Sequence, residues 1–128
     1  MPRAAGSFEV KLSPEPATGD ATIARYSMDR RFSGDLQAKS RVEMLGTQFD
    51  DTYSGVYVAI ERITGSLAGR QGAFSVYHTR IMNRGVPTLT AAVVPDSGTE
   101  ALVGLTGSMR IIIENGQHSY EFDYMLPG

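Results

Sequence analysis

The chain has no cysteine, which excludes a disulfide framework, a thiolate nucleophile and a Cys-based metal site. No segment of ten or more residues keeps a helical apolar period, so a helical domain is excluded, and with it a phosphate loop feeding a long helix. No stretch approaches the length that spans a bilayer, and Met-Pro-Arg-Ala-Ala-Gly-Ser at the start lacks the apolar core of a signal peptide. A soluble, cytoplasmic protein with no membrane association is the expectation. Charge of one sign is also missing. Twelve basic and fourteen acidic residues give a net charge of −2. Arg25, Arg30, Arg31, Lys39 and Arg41 are interleaved with Asp29, Asp35 and Glu43, which argues against a nucleic-acid partner.

What is present is β-pattern. Val, Ile, Thr, Tyr and Phe alternate with polar residues, and 14 glycines punctuate a chain of 128 residues. That length reads as one domain, residues 1–128. The organising stretch is Val56 to Thr79, two strands joined by a tight turn placed at Gly69 and Arg70. Glu61 then faces His78, Ile63 faces Val76 and Gly65 faces Phe74. Before it, Gly6 to Leu12 is a strand, and Thr22 to Phe32 and Leu36 to Leu45 form a pair. Joining that pair by Ser33-Gly34-Asp35 sets Met28 against Ser40 and Tyr26 against Val42. It also turns Arg30 inward beside Ala38, a costly placement unless a carboxylate or solvent meets it.

Gly46 to Ser54 reads as an exposed loop, and Thr88 to Val94 as a short strand after a turn at 83–87. Ser97 and Glu100 have capping-box spacing, so Gly98 to Val103 is the single helical turn expected, with Ser97 as its N-cap rather than a nucleophile. Asn115-Gly116 is the strongest hairpin signal in the chain. It sets Ile113 against His118, Ile111 against Tyr120, and Met109 against Phe122, with Arg110 against Glu121 on the other face. About eight strands in hairpin order predict an all-β fold, a closed eight-stranded antiparallel barrel, because closure removes exposed edges.

The inner face on these registers is aromatic and apolar with a few ionisable groups, the mixture a small-molecule pocket needs. Glu61, His78 and Tyr120 are the candidate catalytic residues. Tyr26, Met28, Arg30, Phe74, Val76, Met109, His118, Phe122 and Tyr124 are the candidate substrate-binding wall. Two histidines and one glutamate on neighbouring strands are not a recognised zinc spacing, so neither metal nor cofactor is expected.

Several motifs in order carry a family likeness: Phe32-Ser-Gly-Asp-Leu36, Tyr57-Val-Ala-Ile-Glu61-Arg, Gly69-Arg-Gln-Gly72-Ala-Phe74, His78, Val93-Val-Pro-Asp-Ser-Gly-Thr99, Leu102-Val-Gly-Leu-Thr-Gly107 and Gly116-Gln-His-Ser-Tyr120 to Tyr124. The chain resembles an uncharacterised bacterial family of small proteins, a domain of unknown function with a barrel like that of allene oxide cyclase, in the calycin-like manner. The resemblance implies a closed barrel with an internal cavity, in a homodimer. It carries no catalytic set. Related barrels include cyclases of fatty-acid epoxides and of natural products.

Two functions are therefore expected to compete. One is an isomerase or cyclase without cofactor, acting on a small hydrophobic, polyketide- or fatty-acid-like molecule. There Glu61 exchanges a proton, its affinity raised by an apolar setting or tuned by His78, while His118, Tyr120 or Arg30 donates to an oxygen. The other is a non-catalytic barrel that binds a small hydrophobic ligand. A filled barrel with a stress-response or assembly role is the remaining possibility.

Overall fold

A computed structural model describes residues 2–127. Eight strands follow one another: β1 (Arg3–Pro14), β2 (Ala24–Gly34), β3 (Leu36–Phe49), β4 (Ser54–Leu67), β5 (Arg70–Asn83), β6 (Val86–Val93), β7 (Thr106–Glu114) and β8 (Gln117–Met125). Each pairs antiparallel with the next, and β8 closes on β1 through Arg3 to Ser7, giving the expected closed barrel.

The hairpins show how local turn chemistry sets register. Asn115 and Gly116 both have positive φ, as a type I′ turn demands, and all four pairs expected for β7 and β8 are found. Between β4 and β5 the turn is also of this type, but it falls on Ala68 (φ 49°) and Gly69 (φ 85°), not on Gly69 and Arg70. The register is therefore shifted by two residues from the sequence expectation. Ile63 lies opposite Phe74, Glu61 opposite Val76, and Ala59 opposite His78. Because side chains alternate with period two, a slip of two leaves every residue on its expected face. The β2–β3 pair is corrected by the same two residues in the opposite direction: Arg30 opposes Ser40, Met28 opposes Val42 and Tyr26 opposes Met44.

Other differences are local. Most of the expected loop at 46–54 is strand, since β3 runs to Phe49 before a 3₁₀ turn at Asp50–Thr52. The helical turn expected at 98–103 contracts to a 3₁₀ turn at Glu100–Leu102, and Ser97 does not cap it. Instead the Ser97 hydroxyl accepts from the Ser75 amide at 3.0 Å and donates to the Ser75 carbonyl, so 94–105 docks along β5. That docking seats Leu102 and Leu105 in the core and closes one end of the barrel. At Gly72 a Cβ would meet the Thr99 carbonyl at 2.3 Å, so the close approach requires glycine.

The closed end is packed. Phe74 stacks on Phe122 (5.7 Å between centroids, 3° between planes), and Phe122 stacks on Tyr124 at 5.5 Å. Phe8, Phe32 and Tyr120 form a second aromatic contact line. The other end splays. The β1–β8 pairing stops at Ser7 and Ser119, and among the described residues β6 meets β7 only at Ala92 and Ser108. Inner-face positions there reach solvent: Leu12 is 54% exposed, Leu89 64% and Ile113 65%. The molecule is thus a barrel filled at one end and open at the other.

Candidate functional site

Glu61 sits where the filled half gives way to the open half. Cross-strand pairing places it in the row Met28, Val42, Glu61, Val76, Val93, and the next row outward is Tyr26, Met44, Ala59, His78, Ala91. A glutamate in such a row is desolvated by its neighbours, and Glu61 has no exposed surface. Its carboxylate is compensated on both oxygens. Oε1 accepts from His78 Nε2 at 2.7 Å and lies 3.6 Å from Arg30 Nη1, while Oε2 accepts a short hydrogen bond from the Ser40 hydroxyl. Glu61 and His78 are therefore diagonal partners rather than direct opposites, and they touch as expected.

Burial is the largest influence on Glu61 and pushes its proton affinity up. The hydrogen bond from His78, the charge of Arg30, the charge of His78 and the hydrogen bond from Ser40 outweigh it together, and the carboxyl is held below the ordinary glutamate range. Of the two expectations for this carboxyl, a rise in an apolar setting or tuning by His78, burial does act upward but is outweighed, and the hydrogen bond from His78 is the first of the lowering influences. An ionised, doubly hydrogen-bonded carboxylate is a poor proton carrier. It is well suited to orienting an imidazole, because an acceptor-only carboxylate fixes His78 as the Nε2–H tautomer. Among the described residues His78 Nδ1 makes no hydrogen bond, and it is not among the fully enclosed polar atoms.

Arg30 is turned inward as the sequence implied, and a carboxylate does meet it. Its side chain is 10% exposed, with the guanidinium 5.1 Å from the Phe8 ring centroid. Its Nε and Nη1 are enclosed without a hydrogen-bond acceptor among the described residues.

Outward of this cluster is a cavity of about 700 Å³, within the range of small-molecule sites. Its inner wall includes Tyr26, Met44, Tyr57, Arg80 and Met82, and Phe49 and Tyr53 stand at its rim. Arg30 and Glu61 lie below that wall. His78 shares a row with Tyr26 and Met44 but does not itself line the cavity, and neither do Arg30, Ser40 or Glu61. A second concavity of about 440 Å³, beside Arg31, Gln37 and Lys39, lies at the β2–β3 corner and does not include the cluster.

The other sequence candidates divide by height in the barrel. Phe74, Val76, Met109, Phe122 and Tyr124 are buried in the packed core. Met28 and His118 are half-buried, His118 edge-on to Phe8 at 5.3 Å. The Tyr120 hydroxyl is committed elsewhere. It accepts from the Leu36 amide at 2.9 Å and donates to the Ser33 carbonyl at 2.8 Å, with the Leu36 carbonyl at 3.2 Å. Burial raises its proton affinity against the lowering effect of the Leu36 amide, with Asp35 adding to the rise, so it stays a neutral phenol pinning the β2–β3 corner.

Sequence reasoning put Ser40 on the inner face without giving it a role, and it missed Met44, Tyr57, Arg80 and Met82. The signal was present: the alternation through Ala59 and His78 continues unbroken into Tyr57, Arg80 and Met82. Among the described residues no three His, Asp or Glu side chains gather as a metal site, and no helix is long and apolar enough to cross a membrane.

These features define a class: an antiparallel eight-stranded barrel with one plugged end, one open end, and a buried ionic cluster between them. The chain belongs to the family described as protein of unknown function DUF3224, whose model matches residues 4–124. It is similar to a crystal structure of a protein of unknown function from that family, from Shewanella oneidensis MR-1. The two share 45% identity and a TM-score of 0.90, over 100% of this chain and 98% of the other. No curated protein matches the chain.

Proposed function

We propose that the barrel is a cofactor-independent proton-transfer enzyme, an isomerase or cyclase, acting on a small, mostly apolar molecule held in its open end. His78 is the base, through Nδ1, and Glu61 positions it. The observation that carries this reading is the Glu61 carboxylate itself. It is fully buried, bonded to Ser40 and His78, and paired with Arg30, one row inward of Tyr26 and Met44, which line the cavity at the open end. A carboxylate held this way orients an imidazole and stabilises the imidazolium that forms when the ring takes a proton. Burial of an ionic cluster is costly unless it is used or fully compensated.

Native mass spectrometry followed by denaturing extraction identifies the chemotype that accompanies the purified protein. That compound is then incubated with protein in D₂O and followed by NMR. The expected result is deuterium incorporation or rearrangement, lowered about 100-fold or more in His78→Gln. Glu61→Gln, acting through His78, lowers kcat while leaving KM nearly unchanged. A bound compound returned unaltered and without isotope assigns the barrel to the carrier class instead.

A further inference from the structure

Arg30 presents donors that the protein does not use. A guanidinium carries five N–H groups and no acceptor, yet among the described residues Arg30 makes no hydrogen bond, with Nε and Nη1 fully enclosed. Glu61 Oε1 balances its charge from 3.6 Å, beyond hydrogen-bonding reach, and that oxygen already accepts from His78. The Phe8 face holds the guanidinium plane on one side. His78 and Arg30 thus flank one carboxylate oxygen, the first with an unpaired lone pair at Nδ1 and the second with unpaired N–H groups, of which those on Nη2 are the ones not fully enclosed.

We infer that Arg30 binds the oxygen of a neutral carbonyl compound with an acidic C–H beside the carbonyl, an enolisable ketone, and holds the charge that oxygen gains; the chemical part rests on the proton-transfer reading. The charge count selects a neutral ligand. Arg30 and Glu61 cancel, so a ligand carboxylate would bring an uncompensated negative charge next to Glu61 in a poorly solvated site. A ketone brings none. When the α C–H bond breaks and an N–H bond forms at His78 Nδ1, the C–H electron pair becomes the C=C bond of an enolate, and the carbonyl π pair moves to oxygen. The two new charges arise together, imidazolium against Glu61 and enolate oxygen against Arg30. Where the ligand carries a C=C bond β,γ to the carbonyl, return of the same proton to the γ-carbon moves that double bond into conjugation and gives the isomer, with no net gain or loss of electrons; return to the α-carbon exchanges its hydrogen.

The test uses para-nitrophenol, which enters neutral and passes its proton to His78 so that the bound phenolate mimics the enolate, para-nitroanisole as a neutral counterpart with no proton to give, and para-nitrobenzoate as a carboxylate already ionised in solution. Binding is measured by absorbance and calorimetry. Wild type is expected to bind the phenolate at least tenfold more tightly than the anisole or the benzoate, the size of one charge-assisted hydrogen bond. Arg30→Met loses that preference while still binding the anisole, which also reports that the cavity is intact. Arg30→Lys keeps part of it. Equal binding of phenolate and anisole by wild type overturns the inference without recourse to any variant. So does a phenolate preference that survives in folded Arg30→Met. Benzoate bound as tightly as phenolate overturns the choice of a neutral ligand. Cyclohexanone in D₂O is the separate arm. If the phenolate preference depends on Arg30 but wild type exchanges the ketone no faster than His78→Gln, the oxygen site stands and the ketone assignment falls with the proton-transfer reading.

Discussion

Glu61→Gln isolates the ionic cluster from everything else in the barrel. Glutamine fills the same space and still accepts one hydrogen bond, but Arg30, 10% exposed and with no other carboxylate within ion-pair distance among the described residues, is left as a buried charge without a counter-charge. Removing one partner of a buried pair costs about 3–5 kcal/mol, and the retained hydrogen bond places this case near the lower end, about 3 kcal/mol. For a chain of this size that lowers the melting temperature by roughly 12 °C, taken from a total stability on the order of 5–15 kcal/mol.

The pH dependence adds a signature. Glu61 is held below its ordinary value in the folded protein, so its contribution is complete above the unfolded-state value of about 4.3 and is lost as pH falls through the folded value. Wild type should therefore lose stability in acid faster than the variant, and the gap should close. Asp20, Glu43 and Asp123 are also held low by their partners, but both proteins share them and they cancel in the difference. Urea unfolding at about pH 7 and about pH 3 measures both quantities, with the slope on denaturant expected unchanged. A gap under about 1 kcal/mol at neutral pH, or one that is constant with pH, refutes the reasoning.

Three further outcomes follow from single features. Tyr120→Phe removes the acceptor of the buried Leu36 amide and should cost about 1–3 kcal/mol in urea unfolding, with proton transfer unaffected; loss of turnover at unchanged stability would return Tyr120 to the chemistry. Ala68→Asn places a residue tolerant of positive φ in the type I′ turn and should raise stability by up to about 1 kcal/mol, read as a rise in melting temperature; a fall contradicts the turn assignment. On the outer face of β3–β5, Leu45, Val56, Val58, Ile60 and Ile81 are 40% to 56% exposed and adjacent by register, with Arg41, Glu43 and Arg62 of both signs beside them. This patch is where a second copy is expected to pack: wild type should sediment as a homodimer and Ile60→Lys as the monomer, and a wild-type monomer at micromolar concentration contradicts the expectation.

The parts of this structure that were legible in the sequence are those that period two protects. Glu61, His78 and Arg30 were assigned to the inner face and lie there, although two hairpin registers were off by two residues. Asn115-Gly116 specified its turn without competition, whereas Ala68-Gly69-Arg70 offered two adjacent turns, and choosing between them required knowing that Ala68 accepts positive φ. The contact of Arg30 with Glu61 crosses from β2 to β4 over Ser40, so it depends on two registers at once and on barrel curvature. Ser97 misled for a different reason: its spacing to Glu100 matches a capping box, but its hydroxyl is used by the backbone of β5. The thin β6–β7 seam, which opens one end of the barrel, leaves no mark in the hydrophobic pattern of either strand.

The most direct test of the central claim is the tautomer of His78, read from two-bond ¹⁵N–¹H correlations in a protein with only two histidines. The account predicts a proton on Nε2, hydrogen-bonded to Glu61, and a lone pair on Nδ1, with that assignment lost in Glu61→Gln. A proton found on Nδ1, with Nε2 bare against the carboxylate, would contradict it.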